Sequence, residues 1–229
     1  MNYLELVQAT AKEAGHNTLN IQSIANQSRL AGMFVTWVAE SWIALQNMQR
    51  WDFMRKDSAF AMASGQRDYT KAQMGVEDIR SWCDSRDGTA HLLLDFGNGS
   101  SSDTRRFDQQ DFYDTYDRYT TQTRTPGAFV MRADGSLRFD AYPDTAATVR
   151  GQYWRVASHL EEDADEPDMN PDWHRAIVGL ALKEYAEYDE SPTMMAKGRR
   201  IFNGVYERMC IEALPDLVLA PNPLARGRR

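Results

Sequence analysis

Between Ser28 and Phe53 the chain reads SRLAGMFVTWVAESWIALQNMQRWDF, and most of this run has the spacing of one long helix. Leu30, Phe34, Trp37, Val38, Ser41, Leu45 and Met48 follow one another at steps of 4, 3, 1, 3, 4 and 3, a continuous apolar stripe at the helical period. Met33, Val35, Trp42 and Ile43 lie off that stripe. A helix apolar on more than one side is buried on more than one side. One face packs on the chain's own core. Two covers serve the other equally well: a neighbouring subunit, or further helices of the same chain with this one at the centre of a bundle.

The rest of the sequence must supply that cover. At 229 residues the chain has room for one large domain or two small ones. A hydrophobic content of 42%, with 11% aromatic, is enough for a packed core. No run of 18 apolar residues exists to span a bilayer. The opening MNYLELVQATAKEAG lacks the basic-then-apolar pattern of an export signal, so a protein made and kept in the host cytoplasm is expected. Cys83 and Cys210 are far apart and outside any CxxC or Cys/His cluster, which predicts unpaired thiols. The net charge of −7 argues against broad binding to nucleic-acid phosphates.

Periodicity divides the chain further. Tyr3–Ala14 reads as a short helix stopped by Gly15, and 17–27 as a polar connector. From Trp51 the pattern alternates, predicting strands around a Ser64-Gly65 turn leading to Tyr69. Strands are also predicted over Val76–Cys83 and Ala90–Phe96, joined as a hairpin through Asp87-Gly88. Gly97–Asp103 reads as a flexible loop, and Phe107–Tyr119 as a helix capped by Asp108. The clearest hairpin is AFVMRADGSLRFDAYP, with Asp134-Gly135 at its turn, Phe129 and Met131 on one arm, and Leu137 and Phe139 on the other. Val149–Val156 is a further strand. Asn170-Pro171 and Ser191-Pro192 each pair an N-cap with a proline at the first helical position. They announce two helices joined by a short loop, hence an antiparallel αα-hairpin.

The expected fold is therefore α+β. A helical domain, residues 1–50 and 168–214, carries an inserted, mainly antiparallel β-domain at 51–160. An acidic linker follows at 161–167, and an extended arm at 215–229. The arm's three prolines prevent regular structure, yet Leu217, Val218, Leu219 and Leu224 are too apolar for an idle tail.

Signatures of chemistry fail one by one. Asp168, Asn170 and Asp172 imitate the start of a calcium loop. Trp173 then replaces its glycine and Gly179 its closing glutamate. His174 has no second ligand at helical spacing and reads as a histidine on a helix surface or an interface. Asp108, Asp111, Asp114 and Asp117 recur every three residues, a spacing that drifts around a helix as a solvated face rather than forming a catalytic pair. Tyr113, Tyr116, Tyr119 and Phe112 could bind a sugar or a partner, but core packing is the commoner use. There is no P-loop, GxSxG or dinucleotide fingerprint. No catalytic, metal or cofactor residue is expected, and no enzyme.

The whole layout nevertheless resembles a known family. The resemblance is carried by Leu6-Val7 with Ala14-Gly15, by Phe34–Phe53 ending in W-D-F, and by Ser64-Gly65 with Tyr69. It continues through Pro126, the Asp134-Gly135 hairpin running to Tyr142-Pro143, Tyr153-Trp154, and Trp173–Tyr188. It looks like the head-to-tail adaptor proteins of tailed bacteriophages (connector, or tail tubular A-like proteins). The resemblance implies a virion protein at the head–tail junction, forming a ring, usually of twelve copies, beneath the portal. Its partners would be the portal protein, the next tail component (nozzle or tail tube) and other copies of itself. Genomic DNA would pass through the channel, with no membrane and no cofactor involved. On this reading Leu217, Val218, Leu219, Pro221, Pro223, Leu224, Arg226, Arg228 and Arg229 would dock on the portal. Met33, Val35, Trp42 and Ile43 would meet the neighbouring subunit. The competing reading is a binding module whose β-domain recognises a carbohydrate or a tail-fibre protein. A hydrolase built on Asp111 and Asp114 is a third.

Overall fold

The computed structural model describes residues 1–27, 29–83, 91–117 and 122–214. The described chain forms two compact units: a helical one, Met1–Met54 with 157–214, and a β one, Arg55–Val156.

The helical unit holds α1 (Tyr3–Glu13), α2 (Arg29–Met48), α5 (Arg175–Tyr188) and α6 (Pro192–Glu212). α1 starts in a capping box. Asn2 Oδ1 accepts from the Glu5 amide at 2.8 Å, and Glu5 Oε2 accepts from the Asn2 amide at 3.0 Å. The acidic stretch 161–167 is more than a solvated turn. Its backbone carbonyls at Asp165 and Asp163 accept from the Tyr3 and Leu4 amides at 2.7 and 3.3 Å, and so satisfy the orphan donors at the start of α1. Asp163 Oδ1 also holds the Ile24 amide at 2.7 Å.

α5 is the hub of this unit, with α1, α2 and α6 all packed on it. Nine of its fourteen residues are buried: Ala176, Ile177, Val178, Gly179, Leu180, Ala181, Leu182, Tyr185 and Ala186. Its crossing with α6 is close because two glycines allow it. A Cβ on Gly179 would lie 2.6 Å from the Phe202 backbone nitrogen, and one on Gly198 3.0 Å from the Gly179 carbonyl. The α5–α6 turn places Glu190 at φ 49°, the left-handed region, with the Ser191 amide returning to the Ala186 carbonyl at 3.0 Å.

Trp51-Asp52-Phe53 does not open a strand. Asp52–Met54 is a 3₁₀ turn. The Trp51 indole donates to the Leu45 carbonyl at 2.7 Å, and the Asp52 amide to the Ala213 carbonyl at 2.7 Å. The chain thus doubles back over the end of α2 before leaving the helical unit.

The β unit is a curled eight-stranded sheet, mostly antiparallel. It comprises β1 (Arg55–Met62), β2 (Asp68–Tyr69), β3 (Ile79–Trp82), β4 (His91–Asp95), β5 (Ser101–Arg106), β6 (Ala128–Met131), β7 (Leu137–Phe139) and β8 (Ala147–Arg155). Two short helices, α3 (Lys71–Met74) and α4 (Gln109–Phe112), and a π-turn at Tyr113–Asp117 accompany it. The β6–β7 hairpin has the expected register, Phe129 opposite Phe139 and Met131 opposite Leu137. Three expectations fail. β2, expected to return along β1 from the Ser64-Gly65 turn, pairs with β7 instead, while β1 lies along β8. The segment read as a loop at 97–103 turns sharply and then forms β5, paired with β4. β3 and β4 do not pair as one hairpin among the described residues; both lie along β8. The Asp87-Gly88 turn lies outside the described residues. The β core gathers Phe60, Met62, Trp82, Leu92, Leu94, Phe129, Leu137, Phe139 and Val149.

Candidate interaction surfaces

α2 is the natural place to look for a contact, because from Leu30 to Gln49 its only charge is Glu40. Its inner face buries Ala31, Phe34, Trp37, Val38, Ser41, Trp42, Leu45 and Gln46. Phe34 stacks on Tyr185 at 5.5 Å, and Trp37 lies edge-on to it at 6.0 Å. The sequence pattern puts Trp42 at a subunit interface. It is instead fully buried within its own unit, stacked on Phe53 at 6.2 Å, and Phe53 in turn stacks on Trp51 at 6.0 Å. The turn at 52–54 brings this cover, so Trp42 leaves the interface set. Met33, Val35 and Ile43 are half-buried, and Thr36, Glu40, Ala44 and Asn47 are exposed. Met33 and Ile43 flank this outward face, while Val35 lies towards the core boundary. Gln46, unremarked in the sequence, is buried. Its amide exchanges hydrogen bonds with the backbone of Ser158, Nε2 to the carbonyl at 2.9 Å and Oε1 from the amide at 2.9 Å.

α6 differs sharply: only Gly198, Val205 and Met209 of its residues are buried. Met194, Met195, Ile201, Phe202 and Tyr206 are half-buried, and Ile211 is 82% exposed. The portal-contact candidates Leu217, Val218, Leu219, Pro221, Pro223, Leu224, Arg226, Arg228 and Arg229 lie outside the described residues.

The residues weighed for chemistry have structural work. Asp108 caps α4, accepting from the Gln110 and Asp111 amides at 2.9 Å each. Those bonds lower its pKa, while Asp108 raises that of Asp111. Asp114 accepts from Gln110 Nε2 at 2.9 Å. Asp117 binds Arg67 at 2.9 Å and Arg138 at 2.6 Å, and Arg138 reaches Asp68 at 2.7 Å. Burial pushes the Asp68 carboxyl up, but the hydrogen bond from Arg138 and the charges of Arg138, Arg132 and Arg67 outweigh it, leaving the pKa below its ordinary value. This lock between the π-turn and the β2 and β7 strands is invisible in the sequence, since its members come from three separated segments. Phe112 is buried in a small cluster with Ala128 and Val130, Tyr116 packs against it, and Tyr113 is exposed. Tyr119 lies outside the described residues.

His174 is not on a surface. It is 1% exposed, and its Nδ1 lies 2.7 Å from the Met1 amine. Burial, then the charge of that amine, holds its pKa below the ordinary value. Among the described residues no group of three or more His, Cys, Asp or Glu side chains could hold a metal ion. Neither cysteine is in a disulfide. No helix among the described residues is long and apolar enough to cross a membrane.

A family profile, that of the SU10 adaptor protein, matches the chain over residues 1–225. The chain belongs to that family. It is accordingly a bacteriophage adaptor, a structural component whose business is contact with other virion proteins. No curated protein matches the sequence significantly.

Proposed function

We propose that this adaptor sits at the head–tail junction of a tailed phage, as a closed ring of about twelve copies beneath the portal. It resembles connector and tail tubular A-like proteins in this. It would join the portal to the next tail component, nozzle or tail tube, and leave a channel for the genome. The observation that carries the reading is the family match across both units and most of the C-terminal segment. The outward face of α2 supports it, because a helix side with one charge in five turns suits a protein neighbour better than water. The net charge of −7 suits a channel that must not hold its cargo, since carboxylates release no counterions from DNA. The role is structural, with no catalysis and no cofactor. The segment 215–229, through Leu217, Val218, Leu219 and Leu224 and the arginines beyond them, would dock on the portal and fold as it does so.

Co-expression with the portal of the same phage tests this. Full-length adaptor is expected to co-purify with portal and to appear as a ring in electron micrographs, and deletion of 215–229 to abolish portal binding without altering the melting temperature. Full-length protein that neither binds portal nor forms rings would refute the head–tail reading. A deletion that binds like the parent would remove the tail from it.

A further inference from the structure

The sheet ends in two unequal edges. β2, at one end, is two residues long, and β1, at the other, runs for eight. β1 pairs with β8 along its whole length without a break in register, from Arg55 opposite Trp154 to Met62 opposite Ala147. In an antiparallel pair every second residue turns its N–H and C=O away from the partner strand. Among the described residues nothing takes up those groups between Lys56 and Met62. α3 packs on β1 through the core, where Met74 joins Phe60 and Met62, and sends no hydrogen bond to its backbone. Ala63, one residue on, is different: the Tyr69 hydroxyl accepts from its N–H at 3.0 Å and donates to its C=O at 3.5 Å.

Long edges are ordinarily blunted by charge, proline or a bulge. β1 carries charge only in its first three residues. Two of those charges are engaged within the β unit, Lys56 by Asp78 at 2.9 Å and Asp57 by Gln152 at 2.8 Å. Beyond them the strand reads SAFAM. Ser58, Phe60 and Met62 are buried, and the outward pair is Ala59 and Ala61, both exposed and too small to keep a further strand away.

The chain itself supplies a cover. α6 ends at Glu212, and the Ala213 carbonyl accepts from the Asp52 amide at 2.7 Å. Asp52 stands three residues ahead of β1, so at most about 11 Å of chain separates that anchor from Arg55. Residues 215–229 therefore continue from close to the foot of the open edge. Their first apolar run is Leu217-Val218-Leu219-Ala220, uncharged and bracketed by Pro215 and Pro221. Prolines on either side of a short apolar run suit an outermost strand, where no neighbour needs the missing N–H.

We infer that Leu217–Ala220 adds a strand to the free edge of β1 in the unassembled subunit. The tether makes the segment's own β1 its nearest acceptor, ahead of the same edge on another copy. The contact is a weak latch: about three backbone hydrogen bonds are set against the cost of ordering the run, leaving a small surplus. A latch of this kind leaves global melting unaltered. It covers two features that would otherwise stick to other chains, an apolar tail and an unpaired edge. The portal is proposed to take the same residues, so the latch belongs to the subunit before assembly, and it is read without portal; either reading can fail alone.

Hydrogen exchange of the full chain, followed by mass spectrometry on peptides covering 55–62, tests it. Exchange there is expected to be at least threefold slower in the parent than after Val218→Pro or after deletion of 215–229, with peptides covering β4 unchanged. A synthetic 215–229 peptide, added at millimolar concentration to the deleted chain, is expected to restore the protection. Equal exchange in parent and both variants overturns the latch. So does a difference spread evenly over the whole β unit, which is general loosening. Protection in the parent that vanishes on dilution also overturns it, by giving the edge to the tail of another copy.

Discussion

α5 and α6 are neighbours in sequence and partners in one hairpin, yet they use their surfaces in opposite ways. α5 buries nine of fourteen residues; α6 buries three. The difference lies in composition around the helix. α5 reads RAIVGLALKEYAEY, apolar on most sides over its first two turns, whereas α6 intersperses short apolar groups (Met194-Met195, Ile201-Phe202, Val205-Tyr206) with Lys197, Arg199, Arg200, Glu207 and Arg208. One is a core helix that happens to be near the surface at its end. The other is a surface helix seated on a narrow strip.

The comparison can be broken most violently in the shell that α5 supports. Trp42→Glu places a charge in a fully buried, stacked site and is expected to unfold the helical unit, as is Phe34→Glu. Ile43→Glu, one residue on but half-buried, should fold and be impaired only in assembly. Thermal unfolding beside mass photometry separates the two behaviours, and a folded Trp42→Glu protein would show that the 52–54 turn does not cover α2. Next, truncation should divide the hairpin. Leu182→Ala is expected to cost about 2–5 kcal/mol by cavity formation, and Ile211→Ala to stay within about 0.5 kcal/mol, both by urea unfolding. A sharper contrast uses one substitution at two glycines. Gly179→Ala, whose new methyl meets the Phe202 backbone, should destabilise by about 1–3 kcal/mol. Gly204→Ala, with nothing within 4 Å of its Cβ position, should stabilise by about 0.5–1 kcal/mol through helix propensity. Equal signs at the two sites would mean the helices are not in close contact at Gly179.

The smallest effect is read from pH. His174, just before α5, has its folded-state pKa lowered from the ordinary 6.5 by burial. The folded chain therefore binds fewer protons than the unfolded one. The neutral imidazole's stabilising contribution is complete above pH 6.5, and declines as pH falls from there through the folded-state value. His174→Gln should flatten that part of the stability–pH curve relative to the parent. An unchanged slope would place the imidazole in water.

Local signals are the legible ones. The Ser191 cap, the Asp108 cap and the Asp134-Gly135 turn act within three residues of themselves, and each appears where the sequence puts it. Asn170 also acts locally, but it caps a 3₁₀ turn, Pro171–Trp173, ahead of α5 rather than α5 itself. What escapes depends on distant partners. β5 reads SSDTRR, with no apolar alternation, and is a strand because β4 and β6 supply its hydrogen bonds on either side. Trp42 reads as an outer-face residue because Trp51–Phe53 looks like the start of a strand; folded back as a turn, those rings cover it. The acidic stretch 161–167 looks like a solvated linker because its function resides in backbone carbonyls, which composition does not display. The mixed α+β division is readable from the change of period alone, while the role of α5 as the hub for α1, α2 and α6 is set by packing between distant segments.

The antiparallel register of β1 on β8 has a consequence for how the molecule comes into being. Arg55 stands opposite Trp154, so the first and last strands of the β unit hold its two chain ends side by side. Once that ladder forms, everything between Arg55 and Val156 behaves towards the helical unit as a short tether rather than a long loose loop. The entropy of bringing α2 to α5 then falls with the effective loop length. Synthesis order reinforces this, since α1 and α2 emerge first and must wait for α5, and the β unit is complete before α5 appears. The sheet acts as a buckle: fastening it early shortens the search by which the helices find one another.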